Sequence, residues 1–129
     1  MTVYVDEAAW PFRGELWCHM VADSLAELTT FAHHLGLRSG YVQLPPKTRF
    51  PHFDLNPSMR AKAVERGAVE VTSKAEYMKL AYALQDEYWQ TFAPDELAPN
   101  VNGKLLTMMY RQWQRQRTVR GIVRRECGS

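Results

Sequence analysis

The sequence predicts an α/β fold, a small sheet of about four short strands with flanking helices, completed by a C-terminal helical pair. Three observations predict it. Up to about residue 72, short β-branched and aromatic runs alternate with segments whose apolar residues recur at helical spacing, the pattern of a layered α/β unit. From Ser73 onward only the helical period recurs. Of the 129 residues, 46% are hydrophobic and no tract is biased, enough apolar surface for one domain without disulfides or a structural metal. The expected organisation is a single domain over 1–129, with an α/β unit at 1–72 and a helical extension at 73–129 whose last helix is basic.

Thr2-Val3-Tyr4-Val5 is β-branched and aromatic and reads as a first strand ending at Asp6. Residues 7–15 read as a loop, with extended backbone before Pro11 and a turn at Arg13-Gly14. Leu16 to Ala22 reads as a second strand. A period of two there puts Trp17, His19 and Val21 on one face and Leu16, Cys18 and Met20 on the other. Ser24 and Glu27 have the spacing of a capping box, and Leu25, Leu28, Phe31, Ala32 and Leu35 form a helical apolar stripe that Gly36 stops.

Tyr41-Val42-Gln43-Leu44 reads as a third strand and Pro45 to Pro51 as a rigid loop. After His52-Phe53-Asp54-Leu55, Asn56 caps a helix that has Pro57 at its first position and ends at Gly67. Ala68-Val69-Glu70-Val71 is the fourth strand. Ser73 and Glu76 open a helix to about Phe92, with Tyr77, Leu80, Ala81, Leu84 and Tyr88 on one face. Pro94 and Pro99 bracket a loop. The last helix, from about Gly103, packs through Leu105, Leu106, Met109 and Trp113.

Cys18 and Cys127 do not form a disulfide framework by spacing, which points to a reducing, cytoplasmic setting. No apolar run approaches the roughly 18 residues of a membrane span, and acids stand where a signal peptide would turn apolar, so no membrane partner is expected. The net charge of +2 excludes a uniformly basic nucleic-acid binder, but its distribution is uneven. Residues 104–129 carry seven basic residues against Glu126 alone, a net of +6, and residues 1–103 carry 9 basic against 13 acidic, a net of −4.

Tyr4-Val5-Asp6, Ala9-Trp10-Pro11, Arg13-Gly14, the string from Leu16 to Asp23, His52-Phe53-Asp54-Leu55 and Gly67-Ala68 resemble domain-of-unknown-function family 4031 over about residues 1–72. The resemblance implies a bacterial or phage-encoded protein and carries no assigned reaction. The family pattern reads His-Tyr-Asp-Leu where this chain has Phe53, so any role of a phenol at that position is absent here.

Asp6, His19, His52 and Asp54 are the candidate catalytic residues, and the same four are the candidate ligands of a divalent metal. Two imidazoles and two carboxylates offer a borderline N/O set suited to Zn, Mn, Ni or Fe. Without metal, a His-Asp pair supports general acid-base chemistry. Spacing by two turns His52 and Asp54 the same way in extended chain, while Phe53 and Leu55 face packing. Arg13 and Arg60 are candidate clamps for a phosphate or carboxylate, and Trp10 and Trp17 are a candidate stacking surface for a planar ligand. Each has a structural alternative: a satisfied core histidine, a helix-capping Asp54, Arg60 paired with Asp54 or Glu65, aromatics that fill a core. No HExxH, paired CxxC, GxGxxG or P-loop is present. Cys18 reads as a core thiol and His33-His34 as partly exposed helix residues.

The expected function is a small hydrolase or transferase acting on a nucleotide-like or phosphate-bearing substrate. The first alternative is a non-catalytic phage accessory protein that binds nucleic acid, an acidic protein or a second copy of itself. Arg111, Arg115, Arg117, Arg120, Arg124 and Arg125 of the last helix would serve that role, with Gln112, Gln114, Gln116 and Trp113 among them. The second alternative is a small-molecule binder or sponge using the same pocket.

Overall fold

The computed structural model describes residues 2–7, 10–92 and 101–126, the side chains of 101, 102 and 118–126 excepted. Five short strands, β1 (Val3–Val5), β2 (Trp10–Phe12), β3 (Glu15–Ala22), β4 (Phe53–Leu55) and β5 (Val69–Glu70), form a mixed sheet. Four helices accompany it: α1 (Leu25–His34), α2 (Pro57–Glu65), α3 (Lys74–Gln90) and α4 (Val101–Glu126). The α/β class expected from the sequence is the one observed. The chain divides into two compact units, Met1–Tyr88 and Trp89–Ser129.

In the first unit β3 is the organising strand. It pairs antiparallel with β1, β2 and β4, with β1 and β4 flanking its second half on opposite sides, and β5 joins β1 in parallel. The registers Val3↔Ala22, Val5↔Met20, Met20↔Phe53 and Cys18↔Leu55 put these residues on one face, all of them buried. Leu28, Ala32 and Leu35 from α1 and Ala63 from α2 pack into the same core. The opposite face carries Tyr4, Trp17, His19 and Asp54, as the period of two dictates.

Local signals act where the sequence put them. Ser24 Oγ accepts from the Glu27 N–H at 3.1 Å, and Asn56 Oδ1 accepts from the Met59 N–H at 2.8 Å beside Pro57 at the start of α2. Glu27 does not complete the capping box: its Oε2 is buried with no partner among the described residues. Gly36 at φ +89° and Gly67 at φ +106° follow the ends of α1 and α2 in the left-handed region.

Two expectations are corrected. Residues 7–15 are not only a loop, because Arg13 (φ +51°) and Gly14 (φ +78°) make a two-residue turn that folds Trp10–Phe12 back on Glu15–Trp17 as β2. Pro11 is tolerated because β2 is an edge strand. Tyr41–Leu44 is not a strand. Ser39–Tyr41 is a 3-10 turn and only Gln43 bridges to His52, since Pro45, Pro46 and Pro51 lack the N–H groups that would extend the ladder. The strand that joins the sheet instead is β4, and with it five short strands stand among the described residues, in line with the small sheet expected.

The second unit contains the end of α3 and all of α4. Trp89, Phe92, Tyr110 and Trp113 form a ring cluster there, with Phe92 5.0 Å from Trp89 and 5.2 Å from Tyr110. The loop expected between Pro94 and Pro99, and Cys127, lie outside the described residues. Among the described residues no helix is long and apolar enough to cross a membrane.

Candidate metal centre

The sheet gathers four polar residues around the middle of β3. Asp54 of β4 stands directly opposite His19. On the other side Asp6, the residue after β1, donates its backbone N–H to the His19 carbonyl at 3.1 Å. His52 precedes Asp54 by two and shares its face, while Phe53 and Leu55 are turned into the core. All four are partly accessible: the side chains of His19, Asp6, His52 and Asp54 are 31%, 15%, 14% and 26% exposed.

The hydrogen bonds fix which nitrogen of each imidazole is free. One Asp6 oxygen accepts from the His19 backbone N–H at 2.6 Å and the other lies 2.8 Å from His19 Nδ1. A carboxylate only accepts, so Nδ1 carries the proton and Nε2 is left for another partner. His52 Nδ1 lies 2.7 Å from the Phe50 carbonyl oxygen, also an acceptor, and is protonated for the same reason. Yet His52 Nε2 lies 3.1 Å from Asp54 Oδ1. A neutral His52 therefore sets a lone pair against a carboxylate lone pair. A proton or a cation held between the two groups relieves that contact.

The two rings, 5.1 Å apart between centroids, meet edge to face. One ligating atom each from His19, His52 and Asp54 falls within 4.8 Å of the others. Asp6 is spent on His19, so its place is behind the imidazole as the group that orients it. Such a carboxylate-histidine arrangement is the usual support of a metal-binding imidazole.

The hydrogen bond that His19 donates to Asp6 holds the His19 pKa above its ordinary 6.5, against the lowering effect of burial, and the charges of Asp6 and Asp54 act in the same upward direction. With the folded value raised, the stability contributed by this pair is full below about 6.5, the unfolded value, and is lost as pH rises through the folded one. Asp6→Asn in the metal-free protein is expected to lower the His19 midpoint in an NMR titration and to flatten this pH dependence of stability. An unchanged midpoint would show that Asp6 does not set the His19 charge.

Tyr77 of α3 is a residue that sequence reasoning left in the packing stripe. Its ring stacks on His19 at 5.8 Å and 30°, and burial together with the Asp6 and Asp54 carboxylates raises its pKa, so it remains a neutral phenol. No spacing rule marks it, because only the docking of α3 brings it to β3. Cys18 lies on the core face, 1% exposed, and burial pushes its thiol up to about 12, in keeping with a core thiol rather than a nucleophile. Arg60 donates from Nε to the Asp6 carbonyl at 3.0 Å and from Nη1 to Glu70 at 2.9 Å, neither of them the Asp54 or Glu65 partner considered from sequence. It braces the end of β1 against β5.

Trp10 and Trp17 stack at 5.8 Å, and Trp10 lies 6.2 Å from the His19 ring. Arg13 at the hairpin tip sits over Phe12 at 5.1 Å. His33 and His34 are exposed on α1 and away from this group in the sheet. Arg111, Arg115 and Arg117 are exposed on α4, the last with its guanidinium 5.3 Å from the Trp113 ring. The side chains of Arg120, Arg124 and Arg125 lie outside the described residues.

Residues 3–83 match the model of a family described as protein of unknown function (DUF4031). The match extends past the 1–72 legible from residues and takes in Tyr77. Comparison with curated proteins and with solved structures gives no match.

Proposed function

Since the chain belongs to the DUF4031 family, whose description assigns no reaction, we propose its function from the geometry: a small metal-dependent hydrolase acting on a phosphate-bearing substrate. The observation that carries this reading is that His19, His52 and Asp54 each bring one ligating atom within 4.8 Å of the others, while both Nδ1 atoms already face oxygen acceptors and leave the second nitrogen of each ring for an ion. His19, His52 and Asp54 would hold the ion and Asp6 would orient His19. Three protein ligands leave coordination positions open, the mark of a catalytic rather than a structural site. A divalent ion supplies a Lewis acid for a substrate oxygen and makes water a stronger nucleophile near neutral pH. Tyr77, a neutral phenol beside His19, is placed to donate a hydrogen bond to an anionic substrate. Arg13 is the candidate for the substrate anion, since Arg60 already has two protein partners.

The test is release of nitrophenolate from p-nitrophenyl phosphate and its bis ester by protein loaded in turn with Zn²⁺, Mn²⁺, Ni²⁺ and Fe²⁺. Activity with at least one ion, lost on His52→Ala and Asp54→Asn, is the expected result. Metal binding without turnover of these or of nucleotide esters, with ligand recovered unchanged, makes the protein a binder instead. Absence of any metal effect sinks the reading.

The exposure of Arg111, Arg115, Arg117 and three interleaved glutamines on α4 favours a second reading, a nucleic-acid contact on this helix. Replacing the three arginines by glutamine then abolishes gel retardation of single-stranded oligonucleotides at low salt. Retardation that is unchanged, or absent from the wild type, removes this reading.

A further inference from the structure

The β2–β3 hairpin carries a row of rings that ends at the candidate metal centre. Trp10 and Phe12 share one face of β2, and the register Trp10↔Trp17 brings Trp17 of β3 beside them. Phe12 meets Trp17 edge to face at 5.7 Å, Trp17 stacks on Trp10, and Trp10 adjoins His19. Trp17 is locked across the turn by donation of Nε1–H to the Phe12 carbonyl at 3.0 Å. This end of the sheet is not covered: residues 11–16 are all exposed, Phe12 at 46%.

Packing alone does not account for this arrangement. Rings that serve only a core are turned inward, whereas here Phe12 is exposed on the edge strand β2, and Trp10 and Trp17 beside it are half-buried on the sheet face opposite the core. Trp10 moreover buries an Nε1–H with no acceptor among the described residues, a penalty that Leu or Phe at this position would avoid. What an indole offers beyond those residues is a broad, electron-rich face, the surface on which planar heterocycles stack. The guanidinium of Arg13 over Phe12 at the outer end and the imidazole of His19 at the inner end extend that surface from an exposed cation to the candidate metal ligands.

We propose that the Trp10/Trp17 stack is a base-stacking wall that seats the heterocycle of a nucleoside phosphate, with the phosphate directed to the His19, His52 and Asp54 cluster. The placement of the phosphate rests on the metal-dependent reading above, whereas the stacking wall can be tested without it. It selects nucleotides over other phosphate esters, because a sugar phosphate of the same charge lacks the ring.

The experiment compares adenosine 5′-monophosphate, ribose 5-phosphate and adenosine on the metal-loaded full chain, by calorimetry and by the indole N–H signals in NMR. The nucleotide is expected to bind about tenfold or more tightly than ribose 5-phosphate, within the range of stacking on an aromatic residue. The signals of Trp10 and Trp17 should move while those of the buried Trp89 and Trp113 stay in place. Trp10→Leu and Trp17→Leu should erase the tenfold advantage and leave ribose 5-phosphate affinity unchanged. Equal affinity of the two phosphates in the wild type, or an advantage that survives both variants, overturns the proposal. So does a dimer in sedimentation that Phe12→Ser dissociates, since a second copy then covers the rings. If metal does not bind at all, adenosine must still shift the two indole signals for the wall to stand, and no shift overturns it.

Discussion

Metal-free protein titrated with its preferred divalent ion is expected to melt higher by on the order of 10 °C once the ion stands about 100-fold above its dissociation constant. That ratio supplies about 2.7 kcal/mol, and a unit of this size gains roughly 4–8 °C per kcal/mol. His52→Ala should abolish the shift, because it removes the nitrogen that faces Asp54 at 3.1 Å and leaves two ligands. Asp54→Asn should do so as well, since the amide keeps the shape and loses the charge. Asp6→Asn is expected to weaken binding about 10- to 100-fold without abolishing it, as befits a residue that orients a ligand. Differential scanning fluorimetry with and without chelator reads all three. A full shift in the His52→Ala variant would place the ion elsewhere, and the functional reading would fall with it.

Phe53→Ala is expected to destabilise the first unit by about 3–5 kcal/mol, a large share of the roughly 5–15 kcal/mol available to a domain. The ring is 1% exposed and packs opposite Met20 in a core shared with α1 and α2. Urea denaturation should show the loss as a lower midpoint with the slope unchanged, and Phe53→Leu should cost less than about 1.5 kcal/mol. A loss under about 1 kcal/mol in Phe53→Ala would mean that this layer is not close-packed. The position of the ring also decides a question raised by the His-Tyr-Asp-Leu family pattern. Residue 53 is turned away from 52 and 54, so a phenol there would sit in the packing layer, and Phe53 removes nothing from the candidate site.

Much of the local structure was legible because it depends on near neighbours. Ser24, Asn56, Gly36 and Gly67 mark helix ends through contacts within three or four residues, and the alternation along Leu16 to Ala22 separates Cys18 from His19 in any strand. The errors have a common origin. Trp10–Phe12 became a strand because a turn at Arg13-Gly14 gave it a partner, and Tyr41–Leu44 did not because prolines on both sides of the pairing withheld donors. Strand content depends on what lies across the ladder, and propensity within a run does not supply that information.

The sequence by itself determined the residue types of the candidate site and, through spacing by two, that His52 and Asp54 share a face. Only the tertiary structure decided that they face His19. Pairing β3 with both β1 and β4 sets Asp6 on one side of that imidazole and Asp54 on the other, and the docking of α3 adds Tyr77. It also divided the roles: Asp6 orients, Asp54 faces His52, and Arg60 braces the strand ends. The physical reason is that a hydrogen-bond partner fixes which lone pair an imidazole has left, and here both partners are distant from His19 or supplied by loop backbone beside His52.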